Sequence, residues 1–409
     1  MLMKSIASRS RKPVGVSLSS IDPSSIRGVL LSEKSLIGSV GGYENYLWVR
    51  WKGSETTCKS DRIAHTNKHP QQEEQPKTRS RWNSYTSPSL STGRQPVTKH
   101  TVTKQRQIPA NSPIVQPPYA KTGRIPFNFF SEMTIIHLQD EYTIERLKTS
   151  GALAASILEM TCATAQSSPG ITTDEIDQMV HHAILEAGAY PSPLNYRGFP
   201  KSLCSSVNEV VCHGIPDTRP LMFGDVVSFD VSVFIDGVHG DNCATVIVGD
   251  EKKLGDVCAN KDDGSEKDEL HEERRLVKAT QEALQAAIAA CKPGGCLSHI
   301  GHAVSSVADA YGYSSVRDYR GHGINETFHC PPYVKHYRND DELELIPGMV
   351  FTIEPMLVQK SPGVQEWDDG WTVVARDGGL AAQFEHMVWI TEDGVQILTD
   401  NPVYNPSGL

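Results

Sequence analysis

The sequence lacks long apolar runs and paired cysteines. No stretch approaches the roughly 18 consecutive apolar residues that a membrane-spanning helix requires, so a transmembrane protein is excluded. The nine cysteines form no C-x-x-C pair, which argues against a zinc ribbon and against a thioredoxin-like dithiol. Their odd number and irregular spacing are typical of reduced, mostly buried thiols in a reducing compartment.

The first 122 residues are poor in acidic side chains. They hold 19 Lys and Arg against 7 Asp and Glu, whereas the remaining residues hold 20 against 42. A basic extension is therefore joined to an acidic body, a division that the net charge of −10 hides. We predict no nucleic-acid-specific site.

The extension has two parts of unusual composition. The first twenty residues contain four basic residues, six serines and no acid, which is typical of a mitochondrial transit peptide. A basic tail without regular structure is the alternative, and it would leave the protein in the cytoplasm. Residues 59–121 are polar and too poor in aliphatic side chains to offset the entropy lost on ordering. We predict a mostly disordered extension at 1–122 and a catalytic domain at 123–409, with a charged insertion at about 251–275.

Helix signals occur twice in the body. Residues 140–165 have the composition of a helix, and a capping box at Thr172 and Glu175 begins a second helix after a Pro-Gly break. The same order of helix, Pro-Gly break, helix and glycine returns 124 residues later. The pattern indicates a duplicated half-domain in which α-helices pack on a sheet.

An alternating segment places two aspartates on one face of a predicted hairpin. Valine and phenylalanine alternate with polar residues over Val226–Val233, and the Asp-Gly pair at 236–237 is a signal for a two-residue turn. This turn pairs Asp241 with Ser232, and it leaves Asp230 one diagonal step away on the same face. Two like charges so placed repel each other unless a cation lies between them.

Two glutamates stand inside apolar, strand-like runs. Glu354 lies in FTIEPM and Glu385 in QFEHMVWIT, and a glutamate in such a run is seldom buried without a partner. Together with Asp230, Asp241 and a glycine-flanked histidine, His322, they indicate a shared metal site rather than solvated surface charges. One imidazole with four carboxylates suits Mn, Fe, Co or Zn, and bridging carboxylates allow five side chains to hold two ions.

Residues 123–409 resemble the type 1 methionine aminopeptidases, which have the pita-bread metallopeptidase fold. The five ligand motifs occur in the order of that family, and residues 190–217 are similar to its eukaryotic members almost residue for residue. The resemblance implies an α+β fold of two pseudo-twofold half-domains, with an antiparallel sheet covered by helices. It also implies a hydrolase that removes the initiator methionine from nascent polypeptides when the second residue is small, as a monomer with transient ribosome association.

The resemblance assigns roles to the metal-binding side chains. Asp230 would chelate one divalent ion, and Asp241 and Glu385 would bridge both ions. His322 and Glu354 would complete the other ion. Glu354 would also be the general base for the water that attacks the first peptide bond.

The resemblance also names residues that would bind the substrate. His213 and His329 would bond the peptide beyond the scissile bond and stabilise the oxyanion, which makes them catalytic without being ligands. An apolar and polarizable methionine pocket would be lined by Tyr196, Phe199, Cys204, Phe328 and Trp371.

The sequence departs from the family pattern at two positions near the ligands. Asn325 stands where a small residue or a histidine usually follows the GHG motif, and Met387 replaces the usual threonine. Both changes concern substrate fit and rate more than the reaction. The first 161 residues contain a single cysteine, Cys58, so they lack the cysteine-rich zinc-finger module of cytosolic eukaryotic members. This absence resembles the organellar or bacterial-like branch of the family.

Three other interpretations fit the sequence less well. A prolidase or aminopeptidase P would share the five ligands but carries a folded α/β domain ahead of the catalytic one. A non-catalytic binding protein on the same fold typically loses ligands, and none is lost here. A cysteine hydrolase using Cys212 and His213 is disfavoured because consecutive strand residues point to opposite faces.

Overall fold

The computed structural model describes residues 96–125, 135–250 and 270–400, with the backbone of a short strand at Tyr46–Trp48. The predicted transit peptide and residues 251–269 of the predicted insertion lie outside the described residues. Within the described part, no helix is both long enough and apolar enough to cross a bilayer.

The described helices are α1 (Glu141–Ser167), α2 (Thr173–Glu186), α3 (His271–Ala289) and α4 (Ser298–Tyr311). The strands are β1 (Tyr46–Trp48), β2 (Ile135–His137), β3 (Tyr190–Pro191), β4 (Cys204–Val207), β5 (Val210–Cys212), β6 (Val226–Ile235), β7 (Val238–Ile247), β8 (Ser314–Ser315), β9 (Gly321–Gly323), β10 (Cys330–Val334), β11 (Val350–Ile353), β12 (Met356–Val358), β13 (Val364–Glu366), β14 (Val373–Ala375), β15 (Ala381–Gln383), β16 (His386–Ile390) and β17 (Val395–Ile397).

Helices α1 and α2 form the predicted pair at the start of the body. The side chain of Asp140 caps α1 by accepting a hydrogen bond from the amide of Thr143 at 2.8 Å. In α2 the predicted capping box is present, with Thr172 and Glu175 each bonding the backbone amide of the other. The small and aliphatic residues of α1 are buried, and the helix packs across β6 and β7. The predicted pair of helices is therefore confirmed.

Strands β6 and β7 form the predicted antiparallel hairpin. The turn residues Asp236 and Gly237 have positive φ angles of 52° and 81°, as a type I′ turn requires. The register places Ser232 opposite Asp241, so Asp230 lies one diagonal step from Asp241. A shift of one residue would turn a carboxylate to the other face, so the turn fixes the geometry of this pair.

The second half repeats the order of the first. A left-handed glycine follows the second helix of each pair, at Gly188 and at Gly312. The strand pairings in the described residues are antiparallel, and the largest sheet has the order β10-β9-β11-β16-β17. A bridge between Cys243 on β7 and Glu385 connects this half to the hairpin. The α+β architecture with two similar halves agrees with the pita-bread prediction.

Helix α3 begins inside the predicted insertion. Its first residue is His271, so the last five residues of the predicted 251–275 insertion are helical. Arg274 is buried there and forms an ion pair with Asp250 at 2.7 Å. The charged composition predicts surface structure here, but a charge that has an ion-pair partner can be buried in a helix.

Part of the predicted extension contacts the body. Residues 96–125 are here called the strap, and residues 96–122 of it belong to the predicted extension. Arg106 of the strap forms ion pairs with Asp174 and Asp177 at 2.9 and 2.6 Å. Tyr119 of the strap is only 4% exposed. Composition assigned this stretch to the extension because it has few aliphatic residues, whereas polar contacts and one aromatic ring attach it to the body.

Candidate metal centre and substrate cavity

Two aspartates project from one face of the β6–β7 hairpin. The hydroxyl of Ser232 donates to Asp241 Oδ1 at 2.7 Å and lies 3.4 Å from Asp230 Oδ1. Asp241 is buried, and Asp230 is partly exposed. A hydroxyl has one hydrogen to donate, so it cannot satisfy both carboxylates at once. The negative charge on this face therefore requires another partner.

The other three predicted ligands come from the second half. His322 is the middle residue of β9, Glu354 follows β11, and Glu385 precedes β16. His322 Nε2 lies 3.6 Å from Asp241 Oδ2 and 3.7 Å from Glu354 Oε1. Single donor atoms of Asp241, His322 and Glu385 lie within 4.8 Å of one another. These separations suit donors that share one ion, each about 2.1 Å from it, better than direct hydrogen bonds.

The four carboxylates meet without a cationic partner. Burial, followed by repulsion from neighbouring carboxylates, raises the pKa of Asp241, Glu354 and Glu385 well above its usual range. Burial also raises the pKa of Asp230 to about 6. Across the described ranges, no lysine or arginine forms a salt bridge with any of the four. Such a set is stable in the ionised form only when it binds cations, so it fits divalent metal ions.

The imidazole of His322 is oriented for ligation. Its Nδ1 atom lies 3.2 Å from the carbonyl oxygen of Gly323, which can only accept, so Nδ1 carries the hydrogen. Burial lowers the pKa of His322 to about 4, and the ring is therefore neutral. Its Nε2 atom presents a lone pair to Asp241 and Glu354, which is the form that binds a metal ion.

Three polar residues that the sequence analysis missed support Glu354. Thr352 Oγ1 donates to Glu354 Oε1 at 3.0 Å and accepts from the amide of His322 at 3.0 Å. Gln383 Nε2 donates to Glu354 Oε2 at 3.4 Å, and the Glu354 amide donates to His336 Nε2 at 3.0 Å. Thr352 and Gln383 each stand two residues before a predicted glutamate ligand. That spacing on a strand was a signal that could have identified them.

One cavity of about 330 Å³ is lined by all twelve predicted site residues. The predicted metal ligands and the predicted methionine-pocket residues therefore share one space. The cavity is also lined by residues that the sequence analysis did not select, namely Pro193, Arg197, Ser232, Tyr319, Arg320 and Tyr333. A set of residues drawn from both halves of the domain is thus brought together beside the carboxylates.

Aromatic rings form much of the apolar part of the cavity. Phe199 and Trp371 meet edge to face with 5.1 Å between ring centroids, and Tyr196 and Phe328 meet in the same way at 5.1 Å. Cys204 lies opposite Asp230 in the sheet. Burial raises the pKa of the Cys204 thiol well above its usual range, so it remains a neutral, polarizable side chain.

The two predicted catalytic histidines also line this cavity. His329 Nδ1 lies 2.8 Å from the hydroxyl of Tyr196. His213 has a left-handed backbone with φ of 56°, which is uncommon for a residue other than glycine. Burial lowers the pKa of His213 to about 4 and that of His329 well below its usual value. Both rings are therefore neutral and can donate one hydrogen bond.

Both departures from the family pattern lie next to site residues. The Asn325 side chain accepts from the amide of Thr327 at 2.7 Å and so supports the turn ahead of residues 328 and 329. Met387 Sδ lies 3.1 Å from the amide of Asp241 and accepts its hydrogen bond. Each departure therefore has a defined local contact, and neither side chain lines the cavity.

Comparisons with known proteins agree with this geometry. Residues 145–392 match the family described as metallopeptidase family M24. The chain is similar to methionine aminopeptidase 1D, chloroplastic/mitochondrial, of Arabidopsis thaliana, with 43% identity over 298 residues, 73% of this chain and 78% of the relative. It is similar to methionine aminopeptidase 1D, mitochondrial, of Danio rerio, with 40% identity over 313 residues, 76% of this chain and 86% of the relative. The crystal structure of methionine aminopeptidase from Rickettsia prowazekii superposes with a TM-score of 0.59 and 39% identity, covering 65% of this chain and 100% of that one.

Proposed function

Since the chain belongs to metallopeptidase family M24, we propose that it is a methionyl aminopeptidase that removes the initiator methionine from nascent polypeptides. The observation that carries the proposal is one cavity in which four carboxylates and a neutral imidazole stand beside an aromatic, polarizable pocket. We further propose that it acts as a monomer with transient ribosome association. A prolidase-type activity and a non-catalytic binding role are not favoured.

Membership of this family implies the use of divalent metal ions, and the donor set fits them. We propose two ions per subunit, drawn from Co, Mn, Fe or Zn. The proposed ligands are Asp230, Asp241, His322, Glu354 and Glu385. When bound, the ions supply positive charge that acidifies a water molecule and polarises the scissile carbonyl.

The side chains of this chain carry out the remaining steps. Glu354 takes a proton from the attacking water and later gives it to the departing amine. Thr352 and Gln383 bond its two oxygens and hold the carboxylate in place. His213 and His329, both neutral, donate hydrogen bonds to the substrate peptide and to the developing oxyanion.

We expect a strong preference for a small second residue in the substrate. The cavity of about 330 Å³ must hold the ions, a water molecule and the methionine side chain, so it leaves little room for a long second side chain. The kcat/KM of Met-Ala-Ser should exceed that of Met-Arg-Ser about 100-fold, because forced overpacking costs a few kcal/mol. Released methionine, quantified by liquid chromatography, measures both values.

Two further peptides serve as controls for this prediction. Met-Gly-Ser should be cleaved about as well as Met-Ala-Ser, whereas Ala-Pro, a prolidase-type substrate, should resist cleavage. Equal cleavage of the alanine and arginine peptides would show that the cavity does not select the second residue. Cleavage of Ala-Pro alone would favour the prolidase alternative.

We propose a mitochondrial location, with a cytoplasmic one as the alternative. The relatives from Arabidopsis thaliana and Danio rerio carry organellar names, and the first twenty residues have the composition of a transit peptide. Imaging of a chain with a carboxyl-terminal tag should show mitochondria. Mass spectrometry of the purified protein should find a mature amino terminus before Val97, because the amide of Val97 bonds Glu209 of the body. A diffuse cytoplasmic signal with an intact amino terminus would contradict this prediction.

A further inference from the structure

The strap contacts the segment that carries the predicted substrate-binding histidine His213. The amide of Val97 donates to the buried carboxylate of Glu209. The carbonyl oxygen of Thr101 accepts from the amide of Thr218 at 3.1 Å. These two contacts lie on either side of His213 in the sequence, so the strap braces this segment at both ends.

The strap also contacts the segment that carries three of the predicted pocket residues. This segment, residues 191–204, is here called the pocket loop. The amide of Arg106 donates to the carbonyl oxygen of Pro200 at 3.1 Å. Asn195 Nδ2 donates to the carbonyl oxygen of Ala120 at 2.9 Å. The strap is therefore bonded to the pocket loop at two separate points.

An ion pair between a partly exposed arginine and a buried aspartate strengthens the first of these points. Arg106 Nε donates to Asp177 Oδ2 at 2.6 Å, and the other oxygen of Asp177 accepts from the amide of Ser202 at 2.6 Å. Burial raises the pKa of Asp177, and the nearby guanidinium opposes that rise by stabilising the carboxylate. A cation supplied by the strap thus supports the anion that holds the pocket loop two residues before Cys204.

An aromatic contact strengthens the second point. The hydroxyl of Tyr119 donates to the carbonyl oxygen of Ser192 at 2.7 Å. Its ring meets the ring of Tyr196 edge to face, with 5.0 Å between centroids and 84° between planes. The hydroxyl of Tyr196 in turn lies 2.8 Å from His329 Nδ1. When Tyr196 donates to Nδ1, the hydrogen of the neutral His329 ring is on Nε2, where it can serve as a donor.

We infer that the strap is a positioning element of the methionine pocket, in which Tyr119 and Arg106 fix the pocket loop and hold Tyr196 in register with His329. Neither strap residue is a ligand or lines the 330 Å³ cavity, so each acts through the residues it contacts. The inference rests on the proposed function because it concerns the same cavity. It goes beyond that function by assigning part of substrate recognition to a segment outside the residues matched to the family, 145–392.

Kinetics of strap variants test the inference in the full-length protein. Tyr119→Leu removes the aromatic ring that packs against Tyr196, and it should raise KM for Met-Ala-Ser about tenfold. Tyr119→Phe keeps the ring but loses the hydroxyl bond to Ser192, so it should raise KM clearly less than Tyr119→Leu does. Arg106→Gln should raise KM about as much as Tyr119→Leu, and Arg106→Lys, which keeps the charge, should restore part of the loss.

A matched core variant separates positioning from general stability. Val304→Ala shortens a buried side chain of α4, away from the cavity lining, and should lower the thermal midpoint. Loss of folded protein lowers the apparent kcat and leaves KM unchanged, so Val304→Ala should keep the wild-type KM. The same pattern in Tyr119→Leu and Arg106→Gln would overturn the inference.

Two outcomes distinguish this inference from the proposed function. A wild-type protein that does not release methionine overturns the proposed function. An active wild type whose strap variants all keep the wild-type KM overturns only the inference. If Tyr119→Leu fails to fold, the comparison of Arg106→Gln with Arg106→Lys gives the same decision.

Discussion

Glu354→Gln should lower kcat for a Met-Ala-Ser peptide about 1000-fold or more. The amide cannot accept the proton of the attacking water, and it is a weaker metal ligand than a carboxylate. The fold should persist because the two side chains have nearly the same volume. The amide oxygen of the glutamine can still accept the hydrogen bond that Thr352 Oγ1 donates to Glu354 Oε1 at 3.0 Å. The loss should therefore appear in kcat with a folded protein.

Stability gives an independent check on the Glu354→Gln variant. Burial and the charge of Asp230 raise the pKa of Glu354, so its ionised form disfavours the metal-free fold at neutral pH. The neutral amide removes that repulsion. The thermal midpoint of the metal-free variant at pH 7.5 should therefore be at least that of the metal-free wild type, as measured by circular dichroism.

An exposed glutamate supplies the control for Glu354→Gln. Glu392→Gln makes the same chemical change at an exposed position and should retain the wild-type kcat within about twofold. A Glu354→Gln protein that retains more than about a tenth of the wild-type kcat would remove Glu354 from the role of general base.

Local signals in the sequence predicted the hairpin and its register. The Asp-Gly pair at 236–237 determines the turn, and the alternation over Val226–Val233 determines the buried face. Together they place Asp230 and Asp241 on the same face without any information from distant residues. Glu354 and Glu385 were identified for a different reason, since a charge inside an apolar strand needs a partner. The sequence could not indicate how close these four residues lie, because that depends on the packing of the two halves.

The strap and the supports of Glu354 depend on contacts that composition does not reveal. A segment rich in polar residues is expected to be disordered because it buries little apolar area. Arg106 and Tyr119 instead form specific bonds to residues about 70 positions away, which no local pattern encodes. His336 bonds the amide of Glu354 across 18 residues, again without a periodic signal. Long-range polar pairing is thus the part of this fold that the sequence analysis missed.

Removal of metal ions by a chelator should abolish peptide cleavage and lower the thermal midpoint, by an amount that grows with pH. The thermal midpoint falls because the four carboxylates stay close together after the metal ions have been removed. In the metal-free fold burial raises the pKa of Asp230 to about 6, and burial with repulsion between carboxylates raises the pKa of Asp241, Glu354 and Glu385 well above its usual range. Ionising these groups is therefore easier in the unfolded chain than in the folded protein.

The sign of the pH dependence follows from proton binding. Below about pH 3 these carboxyl groups are protonated in both states, and their contribution to stability is fully present. Between pH 5.5 and 7.5 the folded metal-free protein holds more protons than the unfolded chain, so its stability falls as pH rises. Each additional proton that the folded state holds lowers the free energy of unfolding by about 1.4 kcal/mol per pH unit, so the thermal midpoint of the metal-free protein should fall steadily across this range.

The metal-loaded protein should show the opposite slope over the same range. Metal ions compete with protons for the carboxylates, so their binding, and with it the stability of the fold, strengthens as pH rises. Asp241→Asn removes one of the repelling charges, and its metal-free form should have a shallower slope than the wild type. Thermal melts at pH 5.5, 6.5 and 7.5, with and without chelator, measure these slopes. Identical slopes in the two conditions would mean that the four carboxylates do not share a metal site, because only their common occupancy by cations makes the two forms respond to pH in opposite directions.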